Sequence, residues 1–205
     1  MSFLDELRQW PAARVRDAIE RARPADVARA LGREERTPED MAALLSPHAV
    51  AHLEDMAREA QRLTRWHFGR TIGLYVPLYA SNICGADCVY CGYAVRSRRK
   101  EKRLKLTPDI IRRECEQLAA HGFKNLLILT GEARVATPVR YIAECVAIAR
   151  EYFPSVSVEV YSLQTDEYRT LVEHGLEGVT LYQETYDPET YPRLHLKGEK
   201  MDYAY

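Results

Sequence analysis

The stretch Phe123-Lys124-Asn125-Leu126-Leu127-Ile128-Leu129-Thr130-Gly131-Glu132 decides the architecture. Its centre, Leu126 to Leu129, is continuously apolar over the length of a strand. That is the mark of a strand buried on both faces, as in parallel sheets covered by helices. On its N-terminal side, Thr107 to His121 reads as a helix with Ile111, Cys115 and Leu118 on one face, and Gly122 stands as the C-terminal stop. On its C-terminal side, Thr137 to about Phe153 reads as a helix with Ile142, Val146 and Ala149 on one side. A strand with alternating valines comes next at Ser155 to Tyr161, then a helix from Thr165 to His174 closed by Gly175, then a strand from Gly178 to Gln183. Upstream, Thr71 to Ala80 is rich in β-branched, aromatic and apolar residues and reads as the first strand. Strand, loop and helix in repetition mean parallel strands joined by right-handed crossovers.

Residues 1–70 read as a polar, helical leader. Thr37-Pro38, Ser46-Pro47, Thr107-Pro108 and Thr137-Pro138 mark helix starts, a capping hydroxyl followed by proline at the first helical position. After Ser46 a helix is expected to about Phe68, with Val50, Leu53, Ala57, Ala60 and Leu63 at helical spacing. The expected domains are therefore a leader over 1–70 and a β/α core over 71–205.

The chain has 205 residues and 23.6 kDa, and its 46% apolar and 29% charged residues exclude a disordered chain. Lys plus Arg is 29 against 30 Asp plus Glu, a balance with no general pull toward nucleic acid or an anionic membrane. No apolar run approaches the roughly 18 residues of a membrane span. Met1 to Trp10 carries Asp5 and Glu6 and reads as no secretory signal, so the expected location is cytoplasmic.

A parallel β/α chain forms an open sheet or a closed barrel. The loop after the first strand has no Gly-rich dinucleotide signature. It reads Ser81-Asn82-Ile83-Cys84-Gly85-Ala86-Asp87-Cys88-Val89-Tyr90-Cys91-Gly92-Tyr93. The other strands also end in polar groups: Gly131-Glu132 after the second, Glu159 near the end of the third, Gln183-Glu184-Thr185 after the fourth. Reactive groups at the C-terminal ends of consecutive strands are the habit of β/α barrels.

Of the five cysteines, an odd number that argues against a disulfide framework, three crowd into the first loop. Three thiolates on an iron–sulfur cube leave one iron without a protein ligand, free to chelate a small molecule. The rival is a zinc knuckle, but structural zinc wants four ligands and the loop holds no fourth Cys or His; His121 lies far beyond it. Cys115 and Cys145 sit on apolar helix faces and read as small buried hydrophobes.

Cys84, Cys88 and Cys91, with Tyr90 before the last of them, resemble the CxxxCxxC signature of the radical S-adenosylmethionine (SAM) enzymes. Tyr79 to Cys84, Cys91-Gly92-Tyr93, Leu129-Thr130-Gly131-Glu132, Tyr182 to Tyr186 and His195-Leu196-Lys197-Gly198 further resemble the tyrosine lyases of that superfamily, the 2-iminoacetate synthases of anaerobic thiamine thiazole synthesis. The resemblance covers about Thr71 to Tyr205. It implies the N-terminal half of a radical SAM β/α barrel, about four of eight units, behind the helical leader. It implies a [4Fe–4S] cluster on Cys84, Cys88 and Cys91, its open iron chelating the methionine moiety of SAM. Tyr90 would lie against the adenine. Gly131 and Glu132 match the end of a Gly-Gly-Glu motif that receives the methionine ammonium, with Thr130 in place of the first glycine. Glu159, Gln183, Glu184 and Thr185 match positions that contact SAM or its ribose.

The implied reaction cleaves the Cα–Cβ bond of L-tyrosine to 2-iminoacetate (dehydroglycine) and p-cresol. The implied partners are thiazole synthase and, as electron donor, flavodoxin or ferredoxin. Two other readings stand beside it: the tyrosine-cleaving maturase of iron-only hydrogenase, and a non-enzymatic iron–sulfur or zinc binding fragment. The tyrosines Tyr182, Tyr186, Tyr191, Tyr203 and Tyr205 read as packing residues with no catalytic role. The basic run Arg96 to Arg103 reads as a solvated loop ahead of a nucleic-acid patch, with docking of an acidic electron donor through Arg98, Arg99 and Lys100 as a third option. Thr71 to Tyr205 falls well short of the about 250 residues of a full barrel. The sequence is therefore expected to be an N-terminal portion that by itself binds a cluster and cleaves little tyrosine.

Overall fold

The computed structural model describes residues 3–98 and 101–204; Arg99, Lys100 and Tyr205 lie outside the described residues. The chain forms two compact units, residues 1–72 and 73–205.

The first unit is helical: α1 (Phe3–Gln9), α2 (Ala12–Arg21), α3 (Pro24–Leu31), α4 (Pro38–Leu44), a 3₁₀ turn (Pro47–His52) and α5 (Leu53–Phe68). Its centre is small, built on Val27, Ala30, Ala42, Ala43 and Ala49. Thr37 caps α4 as expected. Its hydroxyl accepts the Asp40 amide at 3.3 Å, and the Asp40 carboxylate accepts the Thr37 amide at 3.0 Å. Ser46 departs from the expectation: its hydroxyl donates backward to the Ala43 carbonyl at 2.7 Å and caps no helix. The next six residues wind as a 3₁₀ turn, and the α-helix begins only at Leu53. A 3₁₀ residue advances about 120° against about 100° for an α residue, so Val50 and Leu53 fall out of a common stripe. They are 66% and 58% exposed, and α5 buries no residue.

The second unit holds a four-stranded sheet of order β1-β2-β3-β4, parallel throughout. The strands are β1 (Tyr75–Ser81), β2 (Asn125–Thr130), β3 (Ser155–Glu159) and β4 (Gly178–Thr180). The connecting helices are α6 (Pro108–Ala120), α7 (Val139–Arg150) and α8 (Thr165–Glu173); a short α9 (Tyr191–Leu194) and a 3₁₀ turn (Glu199–Met201) come after β4. Gly122 and Gly175 close α6 and α8 with φ of 89° and 99°, the left-handed conformation that glycine adopts without a side-chain clash.

One sheet face packs under the helices. Leu78, Ile128, Val158 and Val179 stand in one row of the register, and the first three join Ile111, Cys115, Ile142, Val146, Ala149 and Leu171 in the core. Cys115 and Cys145 are fully buried there, and burial pushes their thiols up to about 11 and about 12. The opposite face carries the rows Pro77, Leu127, Ser157, Gly178 and Tyr79, Leu129, Glu159, Thr180. β2 is thus apolar on both faces as its sequence demands, but only Leu126 and Ile128 enter the helix-covered core, while Leu127 and Leu129 point the other way. Each strand is shorter than its apolar pattern, and β4 keeps only three residues. Thr137 does not cap α7: its hydroxyl donates to the Ala133 carbonyl at 3.0 Å, and Pro138 occupies the cap position.

Candidate functional site

The loops at the C-terminal ends of the four strands converge on one cavity of about 260 Å³. Cys84, Cys88, Tyr90 and Cys91 line it from the loop after β1, Gly131 and Glu132 from the loop after β2, Glu159 from the end of β3, Gln183 and Glu184 from the segment after β4. Thr185 does not line it. Its hydroxyl accepts the Asp187 amide at 3.2 Å, so the threonine serves the local turn. The Tyr79 and Leu129 side chains continue the cavity wall onto the sheet face opposite the helices α6–α8.

The path into the cysteine loop begins with a bulge. The β1–β2 register shifts between Tyr79 and Ser81, which leaves Ala80 unpaired in the ladder. The Ala80 carbonyl instead accepts the Leu106 amide at 2.9 Å and the Tyr141 hydroxyl at 3.0 Å. Asn82 closes the loop's base, its amide donating to Lys102 O at 2.9 Å and accepting from Leu104 N at 2.7 Å. Arg103 donates to the carbonyls of Asn82 and Tyr93 at 2.7 and 2.8 Å. Arg96 pairs with the buried Asp87. Two ends of the basic run are therefore struts of the loop, while Arg98, Glu101 and Lys102, described between them, are exposed as expected of a solvated loop.

Gly131 is where the second loop meets the first. Its amide donates to Ser81 O at 3.1 Å, and the Gly85 amide donates to Glu132 O at 2.7 Å. A Cβ at position 131 would lie 2.3 Å from the Ile83 carbonyl oxygen and 2.9 Å from Cys84 Cβ. Only glycine allows that approach, and it sets Glu132 beside the cysteines. Burial pushes the Glu132 carboxyl up from its ordinary value, with Glu199 and Glu184 adding to the effect and Lys200 and Arg134 opposing it.

The far wall comes from the segment after β4. Glu184 accepts from Lys200 Nζ at 2.6 Å. Burial works against charge in both, yet their pairing holds the Glu184 carboxyl low and the Lys200 ammonium high. The second Glu184 oxygen, Oε2, is buried without a hydrogen-bond partner. His195, fully buried, takes the Tyr90 hydroxyl at Nε2 (2.7 Å), and its Nδ1 lies 2.9 Å from the Tyr191 carbonyl. A carbonyl only accepts, so Nδ1 carries a proton, and in the neutral ring Nε2 accepts from Tyr90. Glu184 Oε2 lies 3.3 Å from that Nε2. Burial raises the Tyr90 phenol, and so do the neighbouring Glu184 and Cys88. His195 and Lys200 had no assigned role in the sequence. The only signal was the stretch His195 to Gly198, and a single histidine after a short helix carries no local signature of its distant partner.

These groups fit a [4Fe–4S] cluster with a chelated SAM. Among the described residues no three His, Cys, Asp or Glu side chains converge at single-ion distance, whereas a cube offers its irons at separate corners. Burial raises the Cys88 thiol, with Tyr90 and Lys200 opposing the effect. Glu132 and the orphaned Glu184 Oε2 are acceptors suited to an ammonium and to hydroxyl donors.

A family model described as the radical SAM superfamily matches residues 78–203. The chain is 44% identical over 202 residues to 2-iminoacetate synthase of Escherichia coli (strain K12), covering 98% of this chain and 53% of that protein. It is 41% identical over the same length to 2-iminoacetate synthase of Salmonella typhimurium. The chain thus spans about half the length of the curated relatives it matches. The crystal structure of HydG, a maturase of the [FeFe]-hydrogenase, superposes with a TM-score of 0.84 at 30% identity over 97% of this chain and 45% of that one. With its cysteine loop, its parallel β/α units and a matching model over most of the second unit, this chain belongs to the radical SAM superfamily.

Proposed function

We propose that this chain provides the cofactor-binding part of a radical SAM lyase that breaks the Cα–Cβ bond of L-tyrosine, giving 2-iminoacetate and p-cresol. The observation that carries the reading is the single cavity on which four consecutive strand ends place three thiols, Glu132 and Glu184. Tyrosine as substrate rests on the identity to the 2-iminoacetate synthases. The superfamily's cofactors, a [4Fe–4S] cluster and SAM, together supply a carbon-centred radical that removes a hydrogen atom from the substrate.

In this reading Cys84, Cys88 and Cys91 hold three irons and leave the fourth open. Glu132 accepts the methionine ammonium, which relieves the cost of its buried charge. Glu184 Oε2 accepts a ribose hydroxyl, and Glu159 and Gln183 complete that wall. The Tyr90 ring, its hydroxyl tied to His195, offers a face to the adenine. Thiazole synthase is the proposed recipient of the labile imine, flavodoxin or ferredoxin the proposed electron donor, and the cytoplasm the proposed location. No described helix is long and apolar enough to cross a membrane.

The likeness to HydG favours a second reading, a hydrogenase maturase that begins with the same tyrosine cleavage. The test is anaerobic reconstitution with iron and sulfide, then SAM, a reductant and tyrosine. Four irons per chain, a SAM-induced change in the reduced cluster's electron paramagnetic resonance (EPR) spectrum, and SAM-dependent 5′-deoxyadenosine support the cofactor site. p-Cresol with dehydroglycine identifies the lyase, and carbon monoxide with cyanide the maturase. One tightly bound metal per chain with no response to SAM would overturn both.

A further inference from the structure

The proposed chemistry leaves one buried group without a task. His195 is 1% exposed, the most enclosed titratable side chain in the site, and lies 105 residues from its hydroxyl partner. It is held on three sides. Its Nδ1–H donates to Tyr191 O at 2.9 Å, its ring stacks on Tyr191 with centroids 3.9 Å apart, and its Nε2 accepts the Tyr90 hydroxyl.

The backbone around it is held as well. Asp87 N donates to Lys197 O at 3.1 Å, Leu196 N donates to Asp87 O at 2.9 Å, and Val89 N donates to Leu194 O at 3.0 Å. Cys88 and His195 thus face each other in a two-stranded antiparallel ribbon outside the main sheet. Gly198, at φ 89°, lets the ribbon end lie flat on the loop: a Cβ there would sit 3.0 Å from Ala86 Cα.

We propose that the segment Leu194–Gly198 is a brace that sets the shape of the cysteine loop before any cofactor arrives, and that His195 is its positioning residue, acting through the Tyr90 hydroxyl. The physical argument is entropic. The described residues of 82–104 form no helix and no strand of the main sheet, and ordering so long a loop costs free energy that metal binding would otherwise have to supply. The ribbon and the buried histidine fix Asp87 to Tyr90 in the apo chain, so Cys88 and Cys91 start close to the conformation they need. His195 touches no cofactor in this scheme; it holds Tyr90, and Tyr90 holds the turn between the two cysteines. The consequence for the cluster rests on the proposed cofactor site. The brace itself does not.

The test uses His195→Asn, which keeps a donor near Nδ1 but loses the acceptor for Tyr90, and His195→Gln, which restores an acceptor at the reach of Nε2. Tyr90→Phe removes the same bond from a half-exposed position where misfolding is not expected. In the metal-free protein, hydrogen exchange at the Val89 and Leu196 amides should speed up by about two- to tenfold in His195→Asn and Tyr90→Phe, the weight of one neutral hydrogen bond. Exchange at Ile128 in the core should not change. The double variant should be no worse than either single one, and His195→Gln should recover part of the protection. In the reconstituted protein, the same variants should lose iron to a chelator faster by a similar factor with four irons still bound at the start. Unchanged exchange at Val89 and Leu196, or additive effects of the two single variants, would overturn the brace. Changed exchange with no iron assembly even in the wild type would instead overturn the cofactor reading and leave the brace standing.

Discussion

Gly131→Ala is the sharpest perturbation of the contact between the first two loops. The added methyl would meet Ile83 O at 2.3 Å, a backbone atom that no rotamer change can move. Restoring ordinary contact requires the loops to part by about 1 Å, overpacking of the kind that costs about 1–3 kcal/mol. The two hydrogen bonds that straddle the contact, Gly131 N to Ser81 O and Gly85 N to Glu132 O, cannot survive such a shift intact. At about 1 kcal/mol each, their loss brings the expected destabilisation to about 3–5 kcal/mol. At a urea slope of about 2 kcal/mol/M the midpoint should fall by about 2 M. Both tryptophans, Trp10 and Trp66, lie in the first unit, so their fluorescence would read the wrong part of the chain. Hydrogen exchange at the Ile128 and Val158 amides against urea reads the sheet itself. Gly85→Ala serves as the graded comparison, because its Cβ would meet Glu132 O at 3.3 Å and needs only a few tenths of an ångström. If Gly131→Ala unfolds within about 0.3 M of the wild type at that same slope, the close approach is not what joins the loops.

Three further outcomes are expected at the site. Cys84→Ala, Cys88→Ala and Cys91→Ala should each abolish assembly of a four-iron cluster, whereas Cys115→Ala, in the core, should leave iron content at the wild-type value. Glu132→Gln should weaken SAM binding by about one to two decades, the weight of a charge-assisted hydrogen bond, as read by titration against the cluster's EPR signal. In the metal-free protein the same substitution should act the other way. Burial raises the Glu132 carboxyl, so the folded state binds its proton more readily than the unfolded state, and stability from this group falls as pH rises above the ordinary carboxylate range. Glu132→Gln should therefore flatten the wild type's loss of stability between acid and neutral pH, and urea midpoints across pH that stay parallel would contradict it.

The repeated β/α order was legible because each element carries its own signal within a dozen residues. The apolar run of β2, the valines of β3 and the glycines at 122 and 175 all act locally, and the sheet assembles in that order. The errors lie where a side chain had a choice of partner. Ser46 and Thr137 both look like caps, but each hydroxyl found a carbonyl of its own preceding segment. Competition of that kind is invisible in sequence, because a serine or threonine bonds its neighbouring backbone in several geometries of similar energy. Thr185 also bonds its own turn, its hydroxyl accepting the Asp187 amide, and it stands outside the cavity.

The site divides along the same line. Cys84, Cys88, Cys91, Glu132 and Glu159 announce themselves by spacing or by position at a strand end, and all five line the cavity. His195 and Lys200 do not, since each is defined by a partner that the fold brings in from another segment, and neither do Arg96 and Arg103, whose partners lie in their own loop at no telling spacing. The arginines make the point most clearly. A block of cations reads as solvated surface, because isolated charges prefer water. Yet the described residues of the loop that contains them form no helix or main-sheet strand to satisfy its backbone, so its carbonyls and Asp87 must find donors. Arg103 and Arg96 are the donors at hand, anchored within the loop they stabilise. The charge run and the long irregular loop are thus one feature. A loop that must present three thiols to one cavity cannot use them for an apolar core of its own, and it is held by side-chain hydrogen bonds and by the borrowed ribbon at Leu194–Gly198 instead.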